Sequence, residues 1–144
     1  MEDIRLQQQL LDLRIKLEEL CDGFDKTNNS KKCSLTLRLR FLFILSQNEF
    51  LSPNHFIKRL GIAKSNLTLL CKGLLKEGVI EKTKNEQDKR GIYYKITPLG
   101  LEEVNTYLLE MKEKNPPYYH TAREKKTIER KMDNILEFLR RRID

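Results

Sequence analysis

The sequence predicts a mainly α-helical chain with one small β-hairpin, and three observations carry that prediction. Apolar residues recur at helical spacing near both ends of the chain. Capping residues followed by proline, and glycines at the far ends, divide the middle into short helices. Two short runs rich in β-branched and aromatic residues, joined by a polar loop, supply the hairpin.

The first segment reads as a helix because Leu6, Leu10, Leu13, Leu17 and Leu20 step by 4, 3, 4 and 3 residues, the 3.5-residue period of a helix–helix seam. Asp22-Gly23 and the polar stretch from Asp25 to Lys32 are expected to end or interrupt it. Segment 34–47 carries two patterns. Leu35, Leu37, Leu39 and Phe41 alternate like a strand, whereas Leu35, Leu39, Leu42 and Ile44-Leu45 share one helical face. Its length exceeds that of a usual strand, so a helix is expected.

Ser52-Pro53 is a helix start, with Ser as the N-cap and Pro where its missing N–H costs nothing. This short helix ends at Leu60-Gly61, and a second runs from near Lys64 to Glu77, with Gly78 as its stop. Val79 to Lys84 and Ile92 to Ile96 are the two strands, joined by the loop from Asn85 to Gly91. Thr97-Pro98 repeats the capped start, and Leu101, Val104, Leu108 and Met111 give the helix that follows its apolar stripe. Asn115-Pro116-Pro117 breaks that helix. A last one, from about Thr121, carries Ile128, Met132, Ile135 and Leu139.

Composition narrows the class. Of 144 residues, 39% are hydrophobic and 34% charged, which suits solvated helices and a core completed by a second copy better than a large buried sheet. The longest purely apolar run, Phe41 to Leu45, is far short of a membrane span, so no membrane association is expected. The start Met1-Glu2-Asp3-Ile4-Arg5 is acidic and unlike a secretory signal. The three cysteines, Cys21, Cys33 and Cys71, form no short pair such as C-x-x-C, which argues for a reducing cytoplasm and against a disulfide scaffold or cysteine zinc site.

The net charge of +7 is unevenly distributed. Residues 51–98 hold 10 basic side chains against 4 acidic, while residues 1–50 balance at 8 and 8 and residues 99–144 hold 10 and 9. A concentrated surplus is the electrostatic footprint of a phosphate-binding surface, although a basic solvated face would have the same composition. Three regions follow: 1–50, an N-terminal dimerisation helix and a linking helix; 51–98, the DNA-binding core; and 99–144, C-terminal dimerisation helices.

The stretch from Pro53 to Leu70 satisfies the geometry of a helix-turn-helix. Phe56 and Leu60 supply the apolar crossing, Gly61 tolerates positive φ in the turn, and Ile62 tucks beneath it. Ile57 stands where a small residue usually eases the crossing. With Leu67, Leu70, Cys71 and Leu74 inward, the second helix would present Lys64, Ser65, Asn66, Thr68, Leu69 and Lys72 outward, with Lys76 towards its end. These types suit a major groove: Asn pairs with adenine, Ser and Thr reach base edges or phosphate, an exposed Leu touches a thymine methyl, and Lys sits near the backbone. Ser, Asn and Thr at a helix start also serve simply as caps. In the hairpin tip, Lys89 and Arg90 are suited to an adjacent minor groove, and Asp88 would orient them by an ion pair.

These features together make a winged helix-turn-helix core flanked by helices. The stretch from Leu51 to Met111 resembles the MarR family of bacterial transcription regulators. The resemblance is carried by Leu51-Ser52-Pro53, Arg59-Leu60-Gly61-Ile62, Lys64-Ser65-Asn66-Leu67-Thr68, Leu74-Leu75-Lys76-Glu77-Gly78, Asp88-Lys89-Arg90 and Ile96-Thr97-Pro98-Leu99-Gly100. It implies a homodimer whose N- and C-terminal helices pair, palindromic promoter DNA as the partner, and in most such proteins repression. It also adds a small, often aromatic, effector as a partner to be tested, with Phe24, Phe43, Tyr118 and Tyr119 as candidate pocket residues. Ala63 replaces the Ser or Thr cap usual in the family, which should fray the second helix by about 1 kcal/mol.

Catalysis has no support in the sequence. His55 and His120 lie in different regions, His55 is expected to face solvent or phosphate, and no H-E-x-x-H, P-loop, G-x-S-x-G or G-x-G-x-x-G occurs. No catalytic, cofactor or metal site is therefore expected. The resemblance brings in metal-binding relatives, but the spacing of Cys21, Cys33, Glu18 and His120 encodes no zinc site. Cys33 follows Lys31-Lys32, which would lower its pKa; an ordinary thiol is the favoured reading, and Cys71 is expected to be an inert core residue. The function expected is that of a dimeric, sequence-specific DNA-binding regulator. The alternative is a winged-helix interaction module that binds protein, or nucleic acid without sequence preference.

Overall fold

The computed structural model describes residues 4–27, 36–84, 91–114 and 118–143. It contains six helices and a two-stranded antiparallel sheet: α1 (Arg5–Thr27), α2 (Leu37–Ser46), α3 (Pro53–Leu60), α4 (Lys64–Glu77), β1 (Ile80–Thr83), β2 (Tyr93–Ile96), α5 (Pro98–Lys114) and α6 (Ala122–Ile143). The chain forms two compact units, Met1–Lys114 and Asn115–Asp144.

Within the segment expected to be helical, α2 buries Leu39, Phe41, Leu42 and Leu45 on one helical face, whereas Leu37 is exposed. The Thr36 side chain caps it, accepting from the Leu39 N–H at 3.1 Å. α1 runs through Asp22-Gly23 without a stop and ends at Thr27, inside the polar stretch from Asp25 to Lys32 expected to end it. A single glycine inside a helix costs about 1 kcal/mol, too little to end one already 18 residues long there.

The core of the first unit joins Phe41, Leu42 and Leu45 of α2, Phe56 of α3, Leu67, Cys71 and Leu74 of α4, Val79 and Ile80 at the start of β1, Tyr94 of β2 and Val104 of α5. Phe41 and Phe56 stack with ring centroids 4.0 Å apart, and Tyr94 meets Phe41 edge-on at 6.4 Å. β1 and β2 pair from Ile80↔Ile96 to Thr83↔Tyr93. Leu51 adds a third edge to this sheet by exchanging two backbone hydrogen bonds with Tyr94, at 2.8 and 3.0 Å.

The junction of α4, β1 and α5 is tightly fixed. The Thr97 hydroxyl donates to the Gly78 carbonyl at 2.6 Å and accepts from the Gly100 N–H at 3.2 Å, so one side chain ties the end of α4 to the start of α5. Gly100 is buried, and a Cβ there would lie 2.2 Å from the Val79 carbonyl oxygen and 2.7 Å from Ile96. The glycine is needed because backbone passes where a side chain would begin.

The terminal helices keep apolar stripes open to solvent. On α1, Leu6, Leu10, Leu17 and Leu20 are exposed and Leu13 is half-buried. On α5 only Val104 of the stripe is buried, while Leu101, Leu108 and Met111 are exposed. In the second unit, α6 begins with a reciprocal cap: the Glu124 N–H donates to Thr121 at 3.1 Å, and the Glu124 carboxylate accepts from the His120 N–H at 2.9 Å. Arg140, Arg141 and Arg142 complement the dipole at its far end. Its Met132, Ile135 and Leu136 are exposed.

Gly100→Ala should destabilise the protein by about 1–3 kcal/mol in urea unfolding, as overpacking against an immobile carbonyl does. An open helical site would gain about 1 kcal/mol from the same change, so stabilisation would contradict the close approach at Val79.

Candidate nucleic-acid interface

α3 and α4 are set by local chemistry at their ends. Ser52 caps α3 by accepting from the His55 N–H at 3.4 Å, and Pro53 occupies its first turn. Gly61 closes α3 in the left-handed region at φ 64°, with its N–H donating to the Ile57 carbonyl at 3.0 Å. Ala63 provides no side-chain cap to α4, as its methyl group dictates, and Gly78 stops that helix at φ 75°. Ile57, Leu60 and Ile62 all pack partly buried against the core, so the crossing accommodates Ile57.

α4 is amphipathic in a specific sense. Leu67, Cys71 and Leu74 are buried and Leu70 is half-buried, which turns the opposite face outward. Lys64, Ser65, Asn66, Thr68, Leu69, Lys72 and Lys76 are all exposed, and Leu69 has 70% of its surface in solvent. An isolated exposed leucine is ordinary, but this one lies in the middle of a polar, cationic helix face. The Thr68 hydroxyl donates to the Lys64 carbonyl at 2.9 Å, so its proton is engaged and it offers acceptor lone pairs outward. Asp88, Lys89 and Arg90 lie outside the described residues, as does Cys33, together with the side chains of Cys21 and Phe24.

Beside this face, a cleft of about 540 Å³ lies between the starts of α3 and α4 and the base of the hairpin, lined by Ser52, Asn54, Lys64, Ile92 and Tyr93. The exposed Ile92 and Asn54 were not singled out from the sequence as site residues. His55 departs from expectation: it is half-buried, its Nε2 is buried without a hydrogen-bond partner, and its ring meets Phe56 edge-on at 6.2 Å.

Behind α4, Tyr94 backs Cys71. Burial pushes the Cys71 thiol above its ordinary value, against smaller opposing effects of the Tyr94 hydrogen bond and Lys82. This is the environment of an inert core cysteine. Burial first, then the charge and hydrogen bond of Cys71, push the Tyr94 phenol up to about 12.

The far end of α4 is tied to α2 and α5 through Arg38. Its guanidinium bonds Glu77, the last residue of α4, and donates from Nε to Glu103 of α5 at 3.0 Å. Burial works against the charge of Arg38, but these hydrogen bonds outweigh it and raise its pKa above the ordinary value. Arg38, Glu77 and Glu103 line a cavity of about 630 Å³ with Leu39, Val79 and Tyr107. Phe43, expected as a pocket residue, is exposed and does not line it. In the second unit Tyr118 is exposed and Tyr119 lies under the Lys125 ammonium at 5.7 Å. Among the described residues no group of three or more His, Cys, Asp or Glu side chains could hold a metal, and no helix is long and apolar enough to cross a membrane.

The helix pair, its glycine turn and the hairpin packed behind the second helix define a winged helix-turn-helix fold. Residues 37–92 match the MarR family model. The chain is 30% identical over 71 residues to the transcriptional regulator AdcR of Streptococcus pneumoniae serotype 2, a match spanning 49% of each protein. The matched region thus covers about half the length of that relative. Among solved structures it is similar to the adhesin competence repressor AdcR of Streptococcus pyogenes (TM-score 0.51, 23% identity, 88% of this chain and 97% of that one). It is also similar to a mutant MepR from a multidrug-resistant S. aureus clinical isolate (TM-score 0.66, 16% identity, 91% and 96%) and to the regulator BldR of Sulfolobus solfataricus (TM-score 0.57, 21% identity, 95% and 99%). At these identities the structures establish the fold.

Because the phenol of Tyr94 ionises later in the folded chain than the ordinary value of about 10, its contribution to stability is complete below pH ~10 and is lost as pH rises through about 12. Unfolding midpoints measured across this range should therefore fall more steeply for the wild type than for Tyr94→Phe. Parallel profiles would show that Tyr94 is not held in its neutral form.

Proposed function

We propose that the protein is a dimeric, sequence-specific DNA-binding transcriptional regulator in which α4 enters the major groove. The observation that carries this reading is the outward face of α4, where Lys64, Ser65, Asn66, Thr68, Leu69 and Lys72 are all exposed over a buried inner face. Asn66 is suited to adenine and Leu69 to a thymine methyl, while Lys64 and Lys72 neutralise phosphate. Lys89 and Arg90 of the hairpin loop reach the neighbouring minor groove, with Asp88 orienting them. The concentration of positive charge in residues 51–98 favours a polyanionic partner.

Dimerisation follows from the stripes on the terminal helices. The exposed leucines of α1 and the exposed Met132, Ile135 and Leu136 of α6 are apolar surface for a second copy to cover. Each such side chain, once fully buried, contributes about 1.5–3 kcal/mol. A two-fold dimer would read a palindrome with half-sites about one helical turn apart. Repression fits the similarity to the adhesin competence repressor of Streptococcus pyogenes. An effector in the cavity beside Arg38 would act on α4 through Glu77, which makes a small molecule the expected switch. Regulation in this form is the work of a cytoplasmic protein without catalytic activity.

Selection of bound duplexes from a random DNA pool at about 150 mM salt tests the reading. An enriched palindrome is the expected outcome; retention without enrichment would favour an interaction module and contradict sequence-specific regulation. On the enriched site, Asn66→Ala or Thr68→Ala should relax base preference, whereas Arg90→Ala should weaken binding to all sequences and lower the salt slope by about 1. An unchanged preference or slope would remove the corresponding residue from the interface.

A further inference from the structure

The glycines that lie within or end α3, α4 and α5 have internal reasons with one exception. Gly61 and Gly78 occupy the left-handed region, and Gly100 makes room for the Val79 carbonyl. Gly73 does neither. It is the tenth residue of α4, it is exposed, and a Cβ built on it meets no atom within 4 Å. Glycine in a helix interior lowers the folding constant about fivefold relative to alanine, and nothing among the described residues requires it there.

Its position on the helix points outward to a partner. Gly73 follows Leu69 by four residues and Asn66 by seven, so the three share one flank of α4. From Asn66 to Gly73 that flank carries no charge, with Asn66 exposed and Leu69 the most exposed large apolar residue of the described chain, at 70%; the exposed Glu77 that follows on it is paired with Arg38. Exposed Lys72 and Lys76 run alongside it. A surface that is bare and uncharged at its centre with cations beside it complements the edge of a duplex groove, where close approach of a helix backbone brings lysines to phosphate.

We propose that Gly73 is a DNA-contact position, where the missing side chain lets the α4 backbone lie against the sugar–phosphate edge of the groove that Asn66 and Leu69 face. The proposal rests on α4 being the helix that enters DNA. It makes the glycine a feature that costs the fold stability and serves the complex, the reverse of Gly100.

The test measures Gly73→Ala and Gly73→Lys in the full chain, by thermal unfolding and by equilibrium binding to the duplex enriched by the wild type. Gly73→Ala should unfold at a higher temperature and bind about tenfold more weakly. Gly73→Lys should also bind more weakly, although an added cation at a merely exposed position would tighten binding through counterion release. Wild-type or tighter binding by either variant would overturn the proposal, as would a lower unfolding temperature for Gly73→Ala, since the site would then serve internal packing. If the wild type binds and Gly73→Ala is undiminished, only this inference falls. If the wild type binds no duplex at all, the assignment of α4 falls and this inference with it.

Discussion

The stacked rings of Phe41 and Phe56, fully buried with their centroids 4.0 Å apart, set the geometry on which the remaining contacts depend. Phe41 belongs to α2 and Phe56 to α3, and Tyr94 from the hairpin closes on Phe41 from the side. Three elements far apart in sequence are thereby locked around one aromatic centre. α4 lays Leu67, Cys71 and Leu74 onto the same core. Because those positions must point inward, the side chains half a turn away must point outward, and the helix face offered to a partner is a consequence of core packing.

The other end of α4 is held by polar chemistry. Gly78 turns the chain, Thr97 receives the turn and starts α5, and Gly100 lets α5 press against the Val79 backbone. Arg38 then links Glu77 to Glu103 across the half-buried edge of the cavity. An exposed ion pair is worth little, but here the charges join three helices at one point.

The legible parts of this structure are those governed by neighbours in sequence. Ser52-Pro53, Gly61, Gly78 and Thr97-Pro98 act within one turn of where they stand, so their effects follow from residue chemistry alone. The buried and exposed sides of α4 follow from a single helical period. What escaped sequence reasoning depends on distance or competition. Arg38 meets partners 39 and 65 residues away, a separation that leaves no periodic trace. Leu51 joins the sheet through one isolated bridge, too short to alternate. Gly23 did not stop α1, because a long helix is cooperative, and the helix ends instead within the polar stretch that follows. Gly73 attracted no notice because a helical glycine is conspicuous only once the space around it is known to be empty.

In the proposed complex the outward face of α4, and no other exposed helix face, meets the bases of a duplex. Photocrosslinking tests it most directly. A photoreactive amino acid is placed at Ser65 on α4 and, in a separate variant, at Thr106, which is exposed on α5. Each variant is irradiated with the duplex enriched by the wild type. The account predicts a DNA adduct at a defined base from position 65 and none from position 106. An adduct from position 106 alone, or none from either while the complex stays intact, would contradict it.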